Sequence, residues 1–227
     1  MFARTSTNLP EFPGIFDKRL THNDLPLRVS LNEFSYKKGT EIFGEKEPAE
    51  YVYQVMSGAV RSYKLLSDGR RQIGAFHLAG DIFGLEIGTD HRFTAEAIVD
   101  TTVRLMRRRS LDIVAQSDVK VARNLLSMTT NNLRHAEDHM LLLGRKTSLE
   151  RVAAFLIEMD RRSTAAGILA LPMCRRDIAD YLGLTLETVS RALSRLHDLG
   201  ILGFVGNNQR QIVLLDRAQL ASLDLQD

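Results

Sequence analysis

The C-terminal third of the chain contains two short amphipathic segments joined at a glycine. In the first segment Ile178, Ala179 and Leu182 lie at i, i+1 and i+4, which predicts a helix over residues 175–182 with one apolar face. Gly183 follows, at the position where many helices end in a left-handed residue. The second segment carries a buried-type stripe at i, i+3, i+4 and i+7, consisting of Val189, Ala192, Leu193 and Leu196. Two helices joined by a tight turn with glycine are typical of a helix-turn-helix.

A second helical pattern lies further upstream, where apolar and small residues alternate spacings of three and four. This heptad seam consists of Val119, Ala122, Leu126, Thr129, Leu133, Ala136, Met140 and Leu143. One interpretation is a helix that lies on its own β domain. The other is a parallel coiled coil with a second copy of the chain, which the narrowness of the seam favours. We therefore expect a homodimer.

From about Leu25 to Leu111 short strand-like segments alternate with turn signals, at Ser57-Gly58 for example. Many short strands at this spacing predict a small antiparallel β-barrel or jelly roll. We expect an α+β chain with four parts: a polar N-terminal arm (1–24), a β-barrel (25–111), a dimerisation helix (112–145) and a winged helix-turn-helix (146–227). In that last part the strand-like stretches "ILGFV" and "RQIVLLD" predict the wing, with the turn at Gly206-Asn207-Asn208.

Composition narrows the class of protein. The 227 residues carry a net charge of +2, so any basic surface must be local. No apolar run reaches the roughly 20 residues of a membrane span, and the N-terminus lacks a signal peptide's apolar centre, so we expect a cytoplasmic protein without a membrane partner. A single cysteine excludes a four-cysteine metal site within the chain, and His77 and His91 are isolated. We expect neither an enzyme nor a metal or other cofactor.

The exposed side of the second helix suggests what the helix-turn-helix binds. Glu187, Ser190 and Arg191 lie near its start, at the end that enters the major groove of double-stranded DNA. Arg can donate two hydrogen bonds to guanine, Glu can accept one from cytosine, and Leu186 offers an apolar surface to a thymine methyl group. The simpler interpretation is an ordinary i, i+4 ion pair on a solvated face. The preceding turn and cap favour DNA. Predicted phosphate contacts flank this end: Arg175, Arg176, Thr185, Thr188 and Arg210.

The stretch "RRDIADYLGLTLETVSRALSRLHDLGIL" resembles the helix-turn-helix of CRP/FNR transcription factors, and "AGDIFG" resembles a Gly-Asp/Glu turn of their β domain. The resemblance covers almost the whole chain and is strongest to the FNR and FixK branch. It implies that Glu187, Ser190 and Arg191 read a TTGAT-type half-site. It also implies that a dimer binds the inverted repeat TTGAT…ATCAA and, as an activator, recruits RNA polymerase.

The β domain of this family often carries a sensor, and the resemblance allows each option to be compared with the residues. Cyclic-nucleotide binders have an Arg-Ser pair for the phosphate, whereas here Arg92 is followed by Phe93. The cysteines that hold the FNR cluster are absent. His77 is a lone strand histidine, which is more often structural than a haem ligand. We expect a β domain without an effector, and a ligand-gated sensor is the alternative.

The single cysteine, Cys174, directly precedes Arg175 and Arg176 at the predicted start of a helix. Both the helix N-terminus and the arginine charges favour a thiolate. Oxidation to a sulfinate or sulfonate would add negative charge beside the DNA backbone. One hypothesis is therefore that peroxide switches DNA binding off through Cys174. The alternative is a small residue that is merely tolerated at a helix start.

Overall fold

The computed structural model describes residues 32–86, 88–162, 167–206 and 210–224. The predicted N-terminal arm and residues 207–208 of the predicted wing turn lie outside the described residues. Within the described ranges no helix has the length and apolar character needed to cross a membrane.

The N-terminal half is an antiparallel β domain, as predicted. Its strands form two four-stranded sheets with the orders β1-β8-β3-β6 and β2-β7-β4-β5. The sheets share a core in which Phe43 and Val60 of one contact Val55 and Val103 of the other, so the domain is two facing sheets and not a closed barrel. The strands are β1 (Asn32–Tyr36), β2 (Glu41–Phe43), β3 (Tyr51–Ser57), β4 (Ala59–Leu65), β5 (Arg71–Leu78), β6 (Ile82–Phe83), β7 (Thr94–Ala97) and β8 (Thr101–Arg107).

The turn predicted at Ser57-Gly58 connects β3 to β4 and requires glycine. Gly58 has φ +89°, a conformation that side chains disfavour. A Cβ atom there would lie 2.5 Å from the carbonyl oxygen of Asp100 and 2.5 Å from Oγ1 of Thr101. The close approach of two chain segments therefore fixes the residue type at this turn.

Two helices leave the β domain: α1 (Arg108–Ser117) and the long α2 (Val119–Arg145). Helix α1 begins ahead of the expected boundary at residue 112. The two helices are separated at Asp118, whose carboxylate caps α2 by accepting from the amides of Lys120 and Val121. Val121 and Met128, on one face of α2, are buried in a cluster with Met106 and Leu111. The long helix is thus attached to the β domain along one face only.

The C-terminal domain consists of helices around a small sheet of order β10-β11-β9. Its last helix was not anticipated from the sequence. That helix packs on the first helix of the domain, where Leu220 is buried and Arg217 pairs with Asp160 at 2.8 Å. The elements are α3 (Ser148–Arg162), β9 (Leu169–Ala170), α4 (Arg175–Leu182), α5 (Leu186–Asp198), β10 (Leu202–Val205), β11 (Gln211–Leu214) and α6 (Arg217–Asp224).

Candidate nucleic-acid interface

The turn between α4 and α5 has the geometry predicted from the sequence. Gly183 ends α4 in the left-handed conformation, with φ +63° and ψ 37°. The next amide, of Leu184, donates 3.0 Å to the carbonyl of Ala179, which satisfies a carbonyl at the helix end. Thr185 caps α5, its Oγ1 accepting from the amide of Thr188 at 3.2 Å. These local bonds fix the angle at which α5 leaves the turn.

Helix α5 divides into a buried and an exposed face. Val189, Ala192, Leu193 and Leu196 are buried, as the periodicity predicts. On the other side Glu187 and Arg191 are exposed, and Leu186 and Ser190 are half-buried. In the described part of the chain Glu187 and Arg191 form no ion pair with each other. Their contact with DNA bases stays a prediction.

Arg175 lies beside this face. Its Nη1 donates to Oγ of Ser190 at 3.2 Å, and its guanidinium lies 5.8 Å from the ring centroid of Phe204 in β10. The hydrogen bond connects the first residue of α4 to a predicted base-reading side chain of α5. The stacking contact connects it to the wing. Three elements of the motif therefore meet at one guanidinium.

The other predicted phosphate contacts surround the start of α5. Thr185 and Thr188 form a hydroxyl pair, with 2.9 Å between their Oγ1 atoms. Arg176 is exposed in the first turn of α4, and Arg210 is exposed immediately before β11. Their cationic and hydroxyl groups are of the kinds that contact DNA phosphates. Their contact with a phosphate stays a prediction.

Cys174 is the residue that precedes α4, and it is half-buried. Its Sγ donates to Oδ2 of Asp177 at 3.1 Å, and its amide donates to the same oxygen at 3.1 Å. The sequence analysis considered the neighbouring arginines, whereas the charged group that the Cys174 thiol contacts in the structure is this carboxylate. The i, i+3 spacing of the two residues, as in a capping box, was the signal that could have predicted the contact.

The heptad seam of α2 is largely exposed in the single chain. Val119, Leu126, Leu133 and Met140, which recur every seven residues, are exposed by 59–75%. The intervening positions are exposed or half-buried: Ala122, Thr129, Ala136 and Leu143. An apolar stripe of this kind on a helix surface is unfavourable in water and is typical of a helix that packs against another.

Arg151, which no sequence pattern identified, joins α2 to the helix-turn-helix. Arg151 of α3 donates to three backbone carbonyls, at 2.9 Å to Leu143, 2.9 Å to Lys146 and 3.0 Å to Leu182. One guanidinium thereby connects the end of α2, the residue that follows it (Lys146) and the end of α4. Carbonyl acceptors leave no side-chain pattern, so this role had no sequence signal.

A cavity of about 570 Å³ lies between the β domain and α2, and its lining includes Phe93, His77 and Asn131. Nε2 of His77 is 2.8 Å from Oγ of Ser62, and its ring stacks on Phe83 at 4.8 Å. Burial lowers the pKa of His77 from 6.5 to about 4, so the imidazole is neutral at pH 7. These contacts hold the His77 ring against strands of the β domain.

Comparison with known proteins places the helix-turn-helix and the β domain in one family. Residues 150–223 match the family model of the Crp-like helix-turn-helix domain, and residues 33–118 match that of the cyclic nucleotide-binding domain. Together with the α4–turn–α5 geometry, these matches define a DNA-binding transcription regulator. The chain belongs to the CRP/FNR family.

Several relatives within the family share most of the chain. The nitrogen fixation regulation protein FixK of Rhizobium meliloti is 42% identical over 83% of this chain and 85% of its own. The fumarate and nitrate reduction regulatory protein of Vibrio cholerae is 34% identical over 82% of this chain and 76% of its own. The solved structure of FixK2 from Bradyrhizobium japonicum is 70% identical, covers 86% of this chain and 98% of that chain, and superposes with a TM-score of 0.83. The relatives from Rhizobium meliloti and Vibrio cholerae are named as regulatory proteins and not as enzymes.

Proposed function

We propose that the protein is a homodimeric transcription activator that recognises an inverted repeat of the TTGAT…ATCAA type. The observation that carries the proposal is the exposed face of α5, where Glu187 and Arg191 present their polar groups beside Ser190. An Arg fork matches O6 and N7 of guanine, and a carboxylate matches N4 of cytosine. A TTGAT half-site offers both bases, on its G·C pair, together with thymine methyl groups for Leu186.

The proposed dimer forms along α2. The exposed residues Val119, Leu126, Leu133 and Met140 recur at the heptad spacing of a parallel coiled coil. A two-fold axis along this helix would place the two copies of α5 in successive major grooves, about 34 Å apart. The symmetry of the inverted repeat would then follow from the symmetry of the protein.

The biological role is proposed from the relatives. Proteins that share 38–44% of the residues are named as nitrogen fixation regulation proteins, and others are named as transcriptional activators. We infer that this protein acts in the cytoplasm, where it activates genes of low-oxygen metabolism or nitrogen fixation by recruiting RNA polymerase.

We propose further that DNA binding needs no small-molecule effector and is lost when Cys174 is oxidised. Each step transfers two electrons from sulfur to hydrogen peroxide: the thiol gives a sulfenic acid and water, and a second peroxide gives the sulfinate, water and a proton released to solvent. The product would carry a negative charge 3.1 Å from the carboxylate oxygen of Asp177. Repulsion there, and from nearby phosphates, opposes the DNA-bound arrangement of α4.

A second candidate is a ligand-gated regulator, which the cavity between the β domain and α2 favours. Its volume of about 570 Å³ suits a small molecule, and residues of α2 such as Asn131 and Asn132 line it. An effector bound there would contact both the β domain and the helix that is proposed to form the dimer.

Fluorescence anisotropy of the purified, reduced protein distinguishes the two candidates. The protein is titrated onto a TTGAT…ATCAA duplex without added effector, beside a duplex with both half-sites scrambled at the same salt concentration. Sequence-dependent binding supports an effector-independent regulator. Equal binding to both duplexes contradicts it and means either that an effector is missing, as in the ligand-gated candidate, or that the protein recognises a different half-site.

A further inference from the structure

An ion-pair cluster joins the β domain to the first helix of the helix-turn-helix. Arg71, at the start of β5, donates from Nε to Oδ2 of Asp180 at 2.8 Å and from Nη2 to Oδ1 of Asp177 at 2.7 Å. Both carboxylates belong to α4, more than 100 residues further along the chain. A guanidinium that spans two carboxylates with separate nitrogens is held in position and in orientation.

A second arginine completes the cluster. Arg61 of β4 donates from Nη1 to Oδ1 of Asp177 at 2.6 Å and from Nη2 to Oε1 of Glu96 at 2.7 Å. The Asp177 side chain is only 5% exposed and that of Arg61 15%, so solvent screens this pair much less than a surface ion pair. The guanidinium groups of Arg61 and Arg71 also lie over the ring of Tyr63, at 5.8 and 5.5 Å from its centroid.

The β domain contacts α4 near both ends of the helix. At the start of the helix, Oδ2 of Asp177 accepts from the amide of Cys174, so the carboxylate that binds the two arginines also caps the helix. At the other end, Nε2 of Gln72 in β5 donates to the carbonyl of Tyr181 at 3.3 Å. A helix attached at two points along its length cannot rotate freely against the sheet.

The position of α4 determines that of α5. The two helices are separated only by residues 183–185, and the bonds around Gly183 and Thr185 fix that turn. Of these two helices the cluster contacts only α4, and Glu187 and Arg191 on α5 stay exposed. The ion pairs are therefore compatible with a recognition helix that is free to enter the major groove.

We propose that the Arg61/Arg71–Asp177/Asp180 cluster is a positioning clamp that sets the distance between the two recognition helices of the dimer. In the dimer each β domain is attached to α2, and the two copies of α2 pack together. A clamp between each β domain and its α4 would therefore hold the two copies of α5 at a fixed distance, as parts of one rigid frame. A rigid frame binds one spacing between half-sites well and others poorly. This inference rests on the proposed function, since it requires a dimer that binds an inverted repeat.

The test is a spacer series. Duplexes carry TTGAT and ATCAA half-sites with the intervening spacer varied one base pair at a time, and a further duplex carries one half-site only. The variants are Asp180→Asn and Arg71→Gln. The matched control is Arg70→Gln, because Arg70 adjoins Arg71 but is exposed and pairs with Asp68 in its own turn.

We expect the wild type and Arg70→Gln to lose about tenfold or more in affinity when the best spacer changes by one base pair. Asp180→Asn and Arg71→Gln should bind the best spacer about 3- to 10-fold more weakly and lose less than about threefold on the changed spacers. Binding to the single half-site should be unaltered, which shows that the motif itself remains folded.

Three outcomes would overturn the clamp. Variants that keep the wild-type spacer preference show that the cluster does not position α5. Variants that bind the best spacer more tightly show that the cluster opposes DNA binding. Variants that lose the single half-site as well show that it only maintains the fold of α4. A wild type that binds none of the inverted repeats contradicts the proposed function itself.

Discussion

The thiol of Cys174 donates a hydrogen bond to Oδ2 of Asp177 at 3.1 Å, and that carboxylate also accepts from two arginines of the β domain. The only cysteine of the chain is thus in direct contact with the residue that connects α4 to the β domain. Any negative charge added to the sulfur would be placed against a buried carboxylate. This contact gives a chemical change at Cys174 a route to the orientation of the DNA-binding helices.

Peroxide should therefore weaken DNA binding of the wild type but not of Cys174→Ser, which has no oxidisable sulfur at this position. Cys174→Asp should weaken binding without peroxide, and the neutral Cys174→Asn is its matched control. Anisotropy on the inverted repeat, before and after peroxide, measures both effects. Equal losses of the wild type and Cys174→Ser on peroxide treatment would rule out the switch.

Leu133→Asp should separate the dimer, because it would bury a carboxylate in the centre of the apolar seam of α2. The side chain is 59% exposed in the single chain, so the substitution should leave the fold of the monomer intact. Sedimentation velocity measures the change from dimer to monomer. Leu65→Asp is the control, since Leu65 is 65% exposed at the end of β4, away from the seam. A Leu133→Asp protein that remains a dimer would show that the chains associate elsewhere.

Gly58→Ala should lower the free energy of unfolding by more than about 1 kcal/mol, because the added methyl group meets both a strained backbone and the Asp100 carbonyl at 2.5 Å. Gly69→Ala is the matched control: its φ is +82°, but no atom lies within 4 Å of the added Cβ. Urea denaturation of both variants separates steric crowding from backbone strain. Equal losses would show that crowding at Gly58 contributes nothing.

Stability should decrease as the pH falls from about 6.5 towards 4. Burial lowers the pKa of both His77 and His139 from 6.5 to about 4, so the unfolded chain binds protons in this interval before the folded protein does. The contribution of the neutral imidazoles is fully present above pH 6.5 and is lost as the pH falls through 4.

Urea midpoints at pH 7.5 and pH 5 measure the effect. His77→Gln and His139→Gln should each reduce the difference between the two midpoints. A difference that both variants share with the wild type would assign the pH dependence to other groups.

The helix-turn-helix could be predicted almost residue by residue, because its signals are local. The apolar periodicity of α5, the left-handed glycine at 183 and the Thr185 cap all act within a few positions of one another. The β domain could be predicted as a class from its turn signals, but the division into two facing sheets depends on pairings such as β1 with β8, which are distant along the chain.

The contacts between domains could not be predicted. Arg61 and Asp177 are 116 positions apart, and nothing near Arg61 in the sequence distinguishes it from a solvated strand residue. Arg151 binds only backbone carbonyls, which every residue offers. The break between α1 and α2 has a local signal, since Asp118 is a favoured cap residue directly before the heptad pattern begins.

The most direct test of the proposed recognition measures base discrimination by Arg191. Anisotropy gives the Kd of the wild type, Arg191→Ala and Arg195→Ala on two duplexes, the inverted repeat and the same repeat with the G·C pair of each half-site changed to A·T. The wild type should discriminate by about 1–3 kcal/mol per half-site, roughly 5- to 150-fold. Arg191→Ala should bind both duplexes alike. Arg195→Ala, one turn further along α5, should retain the discrimination. An Arg191→Ala protein that still prefers the G·C repeat as strongly as the wild type would contradict base reading by this residue.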